Sequence, residues 1–341
     1  MPSETQPPVT QPDETQPDEP QPDEPQPSFR AGFACLVGRP NTGKSTLTNA
    51  LVGHKVAITS SRPQTTRHTI RGVVHRPDGQ LVLVDTPGLH RPRTLLGQRL
   101  NDLVRGTWTE VDVIGFCVPA DAPVGAGDRF IAGELAELAR RTPVFGIVTK
   151  TDSVSPQRVA EQLAALAELG KSAQLGKSAE LGKSAGPGEF AELVPVSAVD
   201  GFQVQLLADL LLARMPESPP LYPDGHLTDE PEQTLVAELV REAALEGVRD
   251  ELPHSLAVVV EEMGPREGRD DLLDVYAHLY VERDSQKGIV IGHRGQRLQE
   301  VGTEARRQIE ALLGTRIHLD LRVKVAKDWQ RDPKQLRRLG F

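Results

Sequence analysis

The sequence predicts an α/β domain, a mostly parallel sheet with helices on both faces, followed by a smaller α+β domain. Three observations carry this. Short apolar runs of strand length (FACLV, QLVLV, VIGFCV, VFGIV, LVPV) recur through the first two thirds of the chain. The first of them runs directly into GRPNTGKST, a glycine-punctuated turn from strand to helix. Beyond residue 230 the order becomes helix, strand, strand, helical turn, helix, strand, with GHRG between the two helical stretches.

The chain has 341 residues, room for about two domains of ~100–200 residues plus tails. It is 38% hydrophobic and 26% charged. No apolar run reaches the ~18 residues that would span a bilayer, and no signal-peptide pattern opens the chain, so a cytoplasmic protein is expected. Cys35 and Cys117 sit in apolar strand-like runs and read as reduced core thiols, in keeping with such a compartment. The net charge of −9 is unevenly spread. Residues 1–28 hold seven acidic side chains and no Lys or Arg in a loose QPDE repeat, the composition of a disordered acidic tail. Residues 283–341 carry fourteen Lys/Arg against seven Asp/Glu, which hints at an anionic partner for that end.

Gly-Lys-Ser occurs four times, and spacing separates one copy from the rest. A phosphate loop needs G-x-x-x-x-G-K-[ST] after a strand: backbone N–H groups wrap the phosphates, Lys reaches the β/γ oxygens, and the hydroxyl binds Mg²⁺. Gly38 stands five residues before Gly43-Lys44-Ser45, with FACLV upstream and LTNALVG, which can start a helix, downstream; Thr46 between them is counted with the nucleotide-binding residues. The copies at Gly170, Gly176 and Gly182 lie in a six-residue [EQ]LGKSA repeat. Where the first glycine is needed they have Ala165, Lys171 and Lys177. They read as an expansion, a helix extension fraying into a basic loop.

The other parts of a nucleotide site follow in order. RHTIRGVVHRPDGQLVLVDTPG reads as a hairpin with Asp78-Gly79 at its turn, ending in Asp85-Thr86-Pro87-Gly88. Asp85 can hold Mg²⁺ through water, and the Gly88 N–H can sense a γ-phosphate. Upstream, SRPQTTRH offers Thr65 or Thr66 to complete the Mg²⁺ shell. After the strand VFGIV, Thr149-Lys150-Thr151-Asp152 places a carboxylate to accept the N1–H and N2–H₂ of guanine, with the Lys stem over the ring. After LVPV, the backbone of Ser197-Ala198 can reach guanine O6. Each short motif alone is weak; together, in order and each after a strand, they specify a guanine-nucleotide domain.

With these motifs in hand, residues 30–341 resemble the Era GTPases: GRPNTGKSTLTNAL, SRPQTTRHTIRGV, DTPGLH, TKTD and VSA, then a second domain. The resemblance implies the P-loop fold of Ras-like GTPases, GTP/GDP and Mg²⁺ as ligands, and Thr66 as the Mg²⁺ ligand of the first switch. It also implies a K⁺ beside the phosphates, bound with help from Asn41; that Asn41 simply stabilises the loop stays open. Two features depart from the family. Thr149 stands where Asn is usual, so modestly weakened guanine binding is expected; the acidic tail and the GKSA repeats are extra. In Ras-like enzymes a Gln two residues after the position of Pro87 orients the attacking water. Here that residue is Leu89, followed by His90, so slow intrinsic turnover is expected. Segments 58–69 and 86–97 are expected to move.

In the last third, GHRG (Gly292-His293-Arg294-Gly295) joins two helical turns, as in KH domains, where a GxxG lets nucleic-acid backbone approach without Cβ clashes. Lys287, Arg294 and Arg297 are expected to line an RNA groove with the GxxG, and Ile289 and Ile291 to pack in the core. For Arg306 and Arg307 a solvated helix face and RNA contact are equally open. The element order fits the type II KH arrangement that the resemblance implies, and the resemblance suggests the 3′ end of small-subunit ribosomal RNA as target.

The expected organisation is a tail (1–28), a GTP-binding domain (29–216) with a low-complexity insertion at about 168–189, a linker (217–230) and a KH domain (231–341). The function expected is a monomeric GTP-hydrolysing switch acting on the 30S particle during small-subunit assembly. Peripheral docking at a membrane surface or on a protein is the alternative. A tRNA-modifying GTPase is disfavoured, because no catalytic cysteine cluster accompanies the motifs.

Overall fold

The computed structural model describes residues 28–59, 66, 67, 69–89, 92, 94–138, 141–173, 189–246 and 252–341. The acidic tail up to residue 27, the repeats at 174–188 and His90 lie outside the described residues.

The first unit runs β1 (Arg30–Val37), α1 (Lys44–Val52), β2 (Ile70–Arg76), β3 (Gly79–Asp85), α2 (Leu95–Trp108), β4 (Val113–Pro119), α3 (Ala126–Leu138), β5 (Val144–Thr149), α4 (Pro156–Ala173), β6 (Glu192–Pro195) and α5 (Val204–Leu212). Its strands form one sheet in the order β2-β3-β1-β4-β5-β6, with only β2 antiparallel to its neighbour. Helices cover both faces, which is why β4 and β5 read as unbroken apolar runs and not as alternating ones. On one face α1 and α5 bring Leu47, Leu51, Leu207 and Leu211 onto Leu36, Leu83 and Phe145. On the other, α2, α3 and α4 bring Trp108, Ile131, Leu135 and Leu166 onto Phe116 and Val148. The parallel strands end along one edge, so Val37, Asp85 and Thr149 deliver their following loops to the same crevice. In open α/β sheets that crevice is where ligands bind.

The two cysteines lie on β1 and β4, fully buried and unpaired. Burial pushes the Cys117 thiol up to about 12, the state of an inert core thiol. The hairpin turn is displaced by one residue from expectation. Arg76 pairs with Gly79, so Pro77 and Asp78 form the tip and Gly79 opens β3, where it also pairs with Arg30 of β1. The first repeat copy is part of α4 itself. Gly170 is buried there, and a Cβ on it would lie 2.8 Å from the Phe190 ring, which in turn stacks on Phe116.

The second unit runs α6 (Glu232–Leu245), a short α7 (Leu252–Ser255), β7 (Ala257–Arg266), β8 (Arg269–Val281), α8 (Asp284–Ile291), α9 (Gln296–Leu313), β9 (Arg316–Val325) and α10 (Pro333–Arg338). Its three-stranded sheet is β7-β8-β9, antiparallel then parallel. Val236 and Val240 of α6, Val290 of α8 and Val301, Ala305 and Ile309 of α9 pack on Val275 and Leu279 of β8. Core packing of Ile289 is corrected by the structure. Residues 284–291 form a helix, so side chains two apart cannot share a face. Val290 is 1% exposed, Ile289 is 54% exposed, and Ile291 packs partly on the core.

The segment after α5 runs along the outer edge of the first sheet. The Val73 N–H donates to the Leu227 carbonyl, the Gln80 side chain accepts from the N–H groups of Leu221 and Tyr222, and Arg71 pairs with Asp229 at 2.8 Å. This covers the edge strand β2, a surface that would otherwise template pairing with another chain. The two units meet directly. Ile58 is part of the second unit's core, Lys55 donates to Glu242 at 2.5 Å, and Leu96 and Leu100 of α2 pack on Trp329, Leu336 and Leu339.

Candidate nucleotide site and nucleic-acid interface

The loop between β1 and α1 curls around the end of Lys44, a 6% exposed side chain. Its amine donates to the Gly38 carbonyl at 3.2 Å and to the Arg39 carbonyl at 2.8 Å. Burial lowers the lysine pKa, while the nearby Asp85 carboxylate works the other way. Asn41 and Gly43 adopt positive φ (63° and 86°), which turns the loop's backbone inward as the helix starts. The arrangement is a cradle with a cation at its centre, suited to a chain of phosphates.

Three oxygens converge beside it. Ser45 at the start of α1 donates to Asp85 Oδ2 at 2.7 Å, and the Thr66 hydroxyl lies 3.0 Å from Ser45 Oγ and 3.3 Å from Asp85 Oδ2. Asp85 is fully buried, and its Oδ1 has no hydrogen-bond partner. Burial raises its pKa to about 6, against the lowering effect of Ser45, Lys44 and Thr66. One carboxylate and two hydroxyls around an unsatisfied oxygen fit a hard cation such as Mg²⁺, which keeps waters and shares phosphate oxygens. Among the described residues no group of three or more His, Cys, Asp or Glu forms a closed metal cage. Gly88 rests on the phosphate loop, where a Cβ would lie 2.8 Å from the Pro40 nitrogen. Leu89 turns away from the crevice into the core, 3% exposed.

The residues expected to read the base lie just past the ends of β5 and β6. Thr149 donates to the Thr42 carbonyl at 2.6 Å and so ties its motif to the phosphate loop. Lys150 adopts positive φ, and its amine pairs with Asp121 at 3.0 Å. Asp152 accepts from the Ser197 hydroxyl at 2.7 Å, which orients the carboxylate, with Ala198 next in line. Thr46 lies on the first turn of α1, half-buried.

Two supports were missed at the sequence level. Arg39 is held by the buried Asp128 of α3 at 2.7 Å, and Asp121 holds Lys150. Both partners come from the β4–α3 region, which carries none of the motifs, and nothing in local spacing points to them.

In the second unit, Gly292 and Gly295 both adopt positive φ (73° and 83°), with Arg294 at 51° between them. A Cβ on Gly292 would meet Arg297 Cβ at 2.7 Å, while Gly295 faces open space. His293 and Arg294 are exposed and Lys287 half-buried. A groove of about 510 Å³ begins at Gly295 and runs between α9 and β9, with Gln299, Thr303, Arg306 and His318 along it. The placement of Arg297 in the groove is corrected. Its guanidinium donates to the carbonyls of Ala244 and Glu246, capping α6, whose unsatisfied carbonyls attract a cation. The structure also separates Arg306 from Arg307. Arg306 lines the groove; Arg307 donates to Glu304 at 2.6 Å, holds that carboxyl down at about 2, and faces a different cavity near His54 and Leu227.

Comparison with known proteins agrees with this two-part layout. The 50S ribosome-binding GTPase family matches residues 33–150, and the KH domain family matches residues 251–330. The chain is 67% identical over 313 residues to GTPase Era of Mycobacterium avium (strain 104), which covers 92% of this chain and 99% of that protein. It is 69% identical over 315 residues to GTPase Era of Streptomyces coelicolor, covering 92% and 95%. Among solved structures, Era in complex with MgGDPNP and nucleotides 1506–1542 of 16S ribosomal RNA superposes with TM-score 0.82 at 34% identity, covering 92% of this chain and 99% of that one. A variant of Aquifex aeolicus Era bound to GDP and aluminium fluoride gives TM-score 0.82 at 32% identity, covering 91% and 99%. A phosphate cradle, a Mg²⁺-shaped oxygen cluster and a GxxG groove in one chain, with relatives alike over nearly their whole length, place it in the Era family of GTPases.

Proposed function

We propose that this GTPase is a switch that binds small-subunit ribosomal RNA near its 3′ end through the groove beside Gly295, and acts in assembly of the small subunit. The observation that carries the reading is the structural relative bound to both MgGDPNP and 16S RNA, alike over 92% of this chain. We divide the chain into a tail (1–28), a GTP-binding domain (29–216) with an insertion at about 168–189, a linker (217–230) and a KH domain (231–341).

In this reading Gly38, Asn41, Gly43 and Lys44 hold the phosphates, and Lys44 stabilises the charge that develops on the transferring group. Ser45, Thr66 and Asp85 would hold Mg²⁺, which would supply neutralisation of phosphate charge when bound. The Gly88 N–H reports the γ-phosphate. Thr149, Lys150 and Asp152, with Ser197 and Ala198, select guanine. With Leu89 in the core, no side chain at that position orients water, so intrinsic turnover is slow. Lys287, His293, Arg294 and the backbone of Gly292 and Gly295 meet the RNA. The chain works as a cytoplasmic monomer; among the described residues no helix is long and apolar enough to cross a membrane.

The test is GTP turnover in potassium buffer with and without RNA carrying the 3′ end of the small-subunit molecule, for wild type and Gly295→Asp. RNA should speed hydrolysis in wild type, and the variant should lose that gain while keeping its basal rate. An unchanged rate in both proteins overturns the switch reading.

A further inference from the structure

Thr66 and Arg67 are adjacent, both buried, and point into different domains. Thr66 faces the oxygen cluster of Ser45 and Asp85. Arg67 is 2% exposed, donates to the main-chain oxygen of Leu256 at 2.6 Å, and lies 5.6 Å from the Trp329 ring centroid and 5.9 Å from that of Phe341. The two rings stack on each other at 5.6 Å. All three receiving groups belong to the second domain. Consecutive side chains on a non-helical chain face opposite ways, so one short stretch of backbone carries both contacts.

The same end of the second domain receives α2 of the first. The Arg99 guanidinium donates to the Phe341 main-chain oxygen at 2.6 Å, and the Leu96 N–H donates to Gln330 at 3.1 Å. On the far side of the first switch, the Thr59 N–H and hydroxyl both donate to Glu242 at 3.1 Å. Residues 59 and 67 are therefore each fastened to the second domain.

We infer that Arg67 is a positioning residue for GTP hydrolysis: seated on Leu256, Trp329 and Phe341, it holds Thr66 at the Mg²⁺ site, so the placement of the RNA-binding domain sets the completeness of the metal shell. This rests on the GTPase reading above and names its regulation. A guanidinium between a carbonyl and two ring faces is a demanding fit; Lys can keep the charge and a hydrogen bond but not the planar stacking. Two domains that share such a contact are coupled only if the contact differs between nucleotide states. Thr66 provides that difference, since it completes the shell for a triphosphate and not for GDP.

The experiment measures Mg²⁺-dependent GTP turnover and GDP affinity, without RNA, for wild type, Arg67→Ala, Arg67→Lys, Phe341→Ala and the Arg67→Ala/Phe341→Ala pair. Arg67→Ala should raise the Mg²⁺ needed for half-maximal turnover and lower kcat, each by about tenfold, while GDP affinity stays within about twofold. Arg67→Lys should recover part of the loss. Phe341→Ala should move the same quantities in the same direction, although its ring lies in the other domain. The double variant should be no worse than Arg67→Ala, because both changes remove one contact. Wild-type Mg²⁺ dependence in Arg67→Ala overturns the inference, as does a GDP affinity that falls by as much as kcat. A Phe341→Ala variant with unchanged turnover overturns it as well. Because these assays contain no RNA, a wild type that fails to respond to RNA would sink the assembly reading and leave the Arg67 result standing.

Discussion

Thr149 hands its hydroxyl hydrogen to the Thr42 carbonyl across 2.6 Å, joining the end of β5 to the loop between β1 and α1. The family's usual Asn could make this bond and keep a second donor. Thr149→Val preserves shape and deletes the bond between two buried groups, a loss of about 1–3 kcal/mol. GDP affinity should fall by about tenfold or more, and Thr149→Asn should raise it above wild type. Titration calorimetry with GDP reads both; equal affinities for Thr149→Val and wild type would show that the bond does not position the loop.

Ile289 and Val290 are neighbours with opposite fates, 54% and 1% exposed. Ile289→Ser should leave urea stability within about 0.5 kcal/mol, as for most surface changes. Val290→Ser should cost about 1.5–3 kcal/mol by exchanging a buried apolar side chain for a hydroxyl. A shared loss of stability in both variants would contradict the helical assignment of 284–291.

Arg306 and Arg307 give a second adjacent contrast. Arg306→Ala should weaken RNA binding uniformly and reduce the salt dependence by about one counterion. Arg307→Ala should change neither by more than about twofold, since its guanidinium is engaged by Glu304 away from the groove. Filter binding across a salt series separates the two.

The buried Asp85 makes a pH prediction for the ligand-free protein. Its folded pKa of about 6 lies above the ordinary 3.8, so the folded state holds its proton more tightly than the unfolded one. Its stabilising contribution is complete below about 4 and is lost as pH rises through about 6, a loss of about 3 kcal/mol. The difference in unfolding free energy between wild type and Asp85→Asn should therefore fall between pH 4 and 6. A difference that rises with pH would mean that hydrogen bonding from Ser45 and Thr66 outweighs burial.

Much of the nucleotide site was legible because its parts are backbone punctuation and short motifs, and the sheet brings the ends of β1, β3 and β5 to one crevice. The hairpin was legible to within one residue. What could not be read was long-range. Asp128 meets Arg39 from 89 residues away, and Arg67 meets Leu256 from 189 away, with no periodicity to announce either. Ile289 misled because packing it in the core together with Ile291 needs a period of two, whereas one short helix, Asp284–Ile291, turns Val290 inward between them. Arg297 misled because position beside a GxxG suggests RNA, and the end of α6 claims it first.

Helix α4 begins beside the base-reading loop and carries 18 residues, a rod of about 27 Å. Its last four residues are the first GKSA copy, and Phe190 closes over Gly170 there. The rod insulates the chemistry from whatever is spliced there. A reporter peptide grafted after Ala173 is therefore expected to leave GDP affinity unchanged.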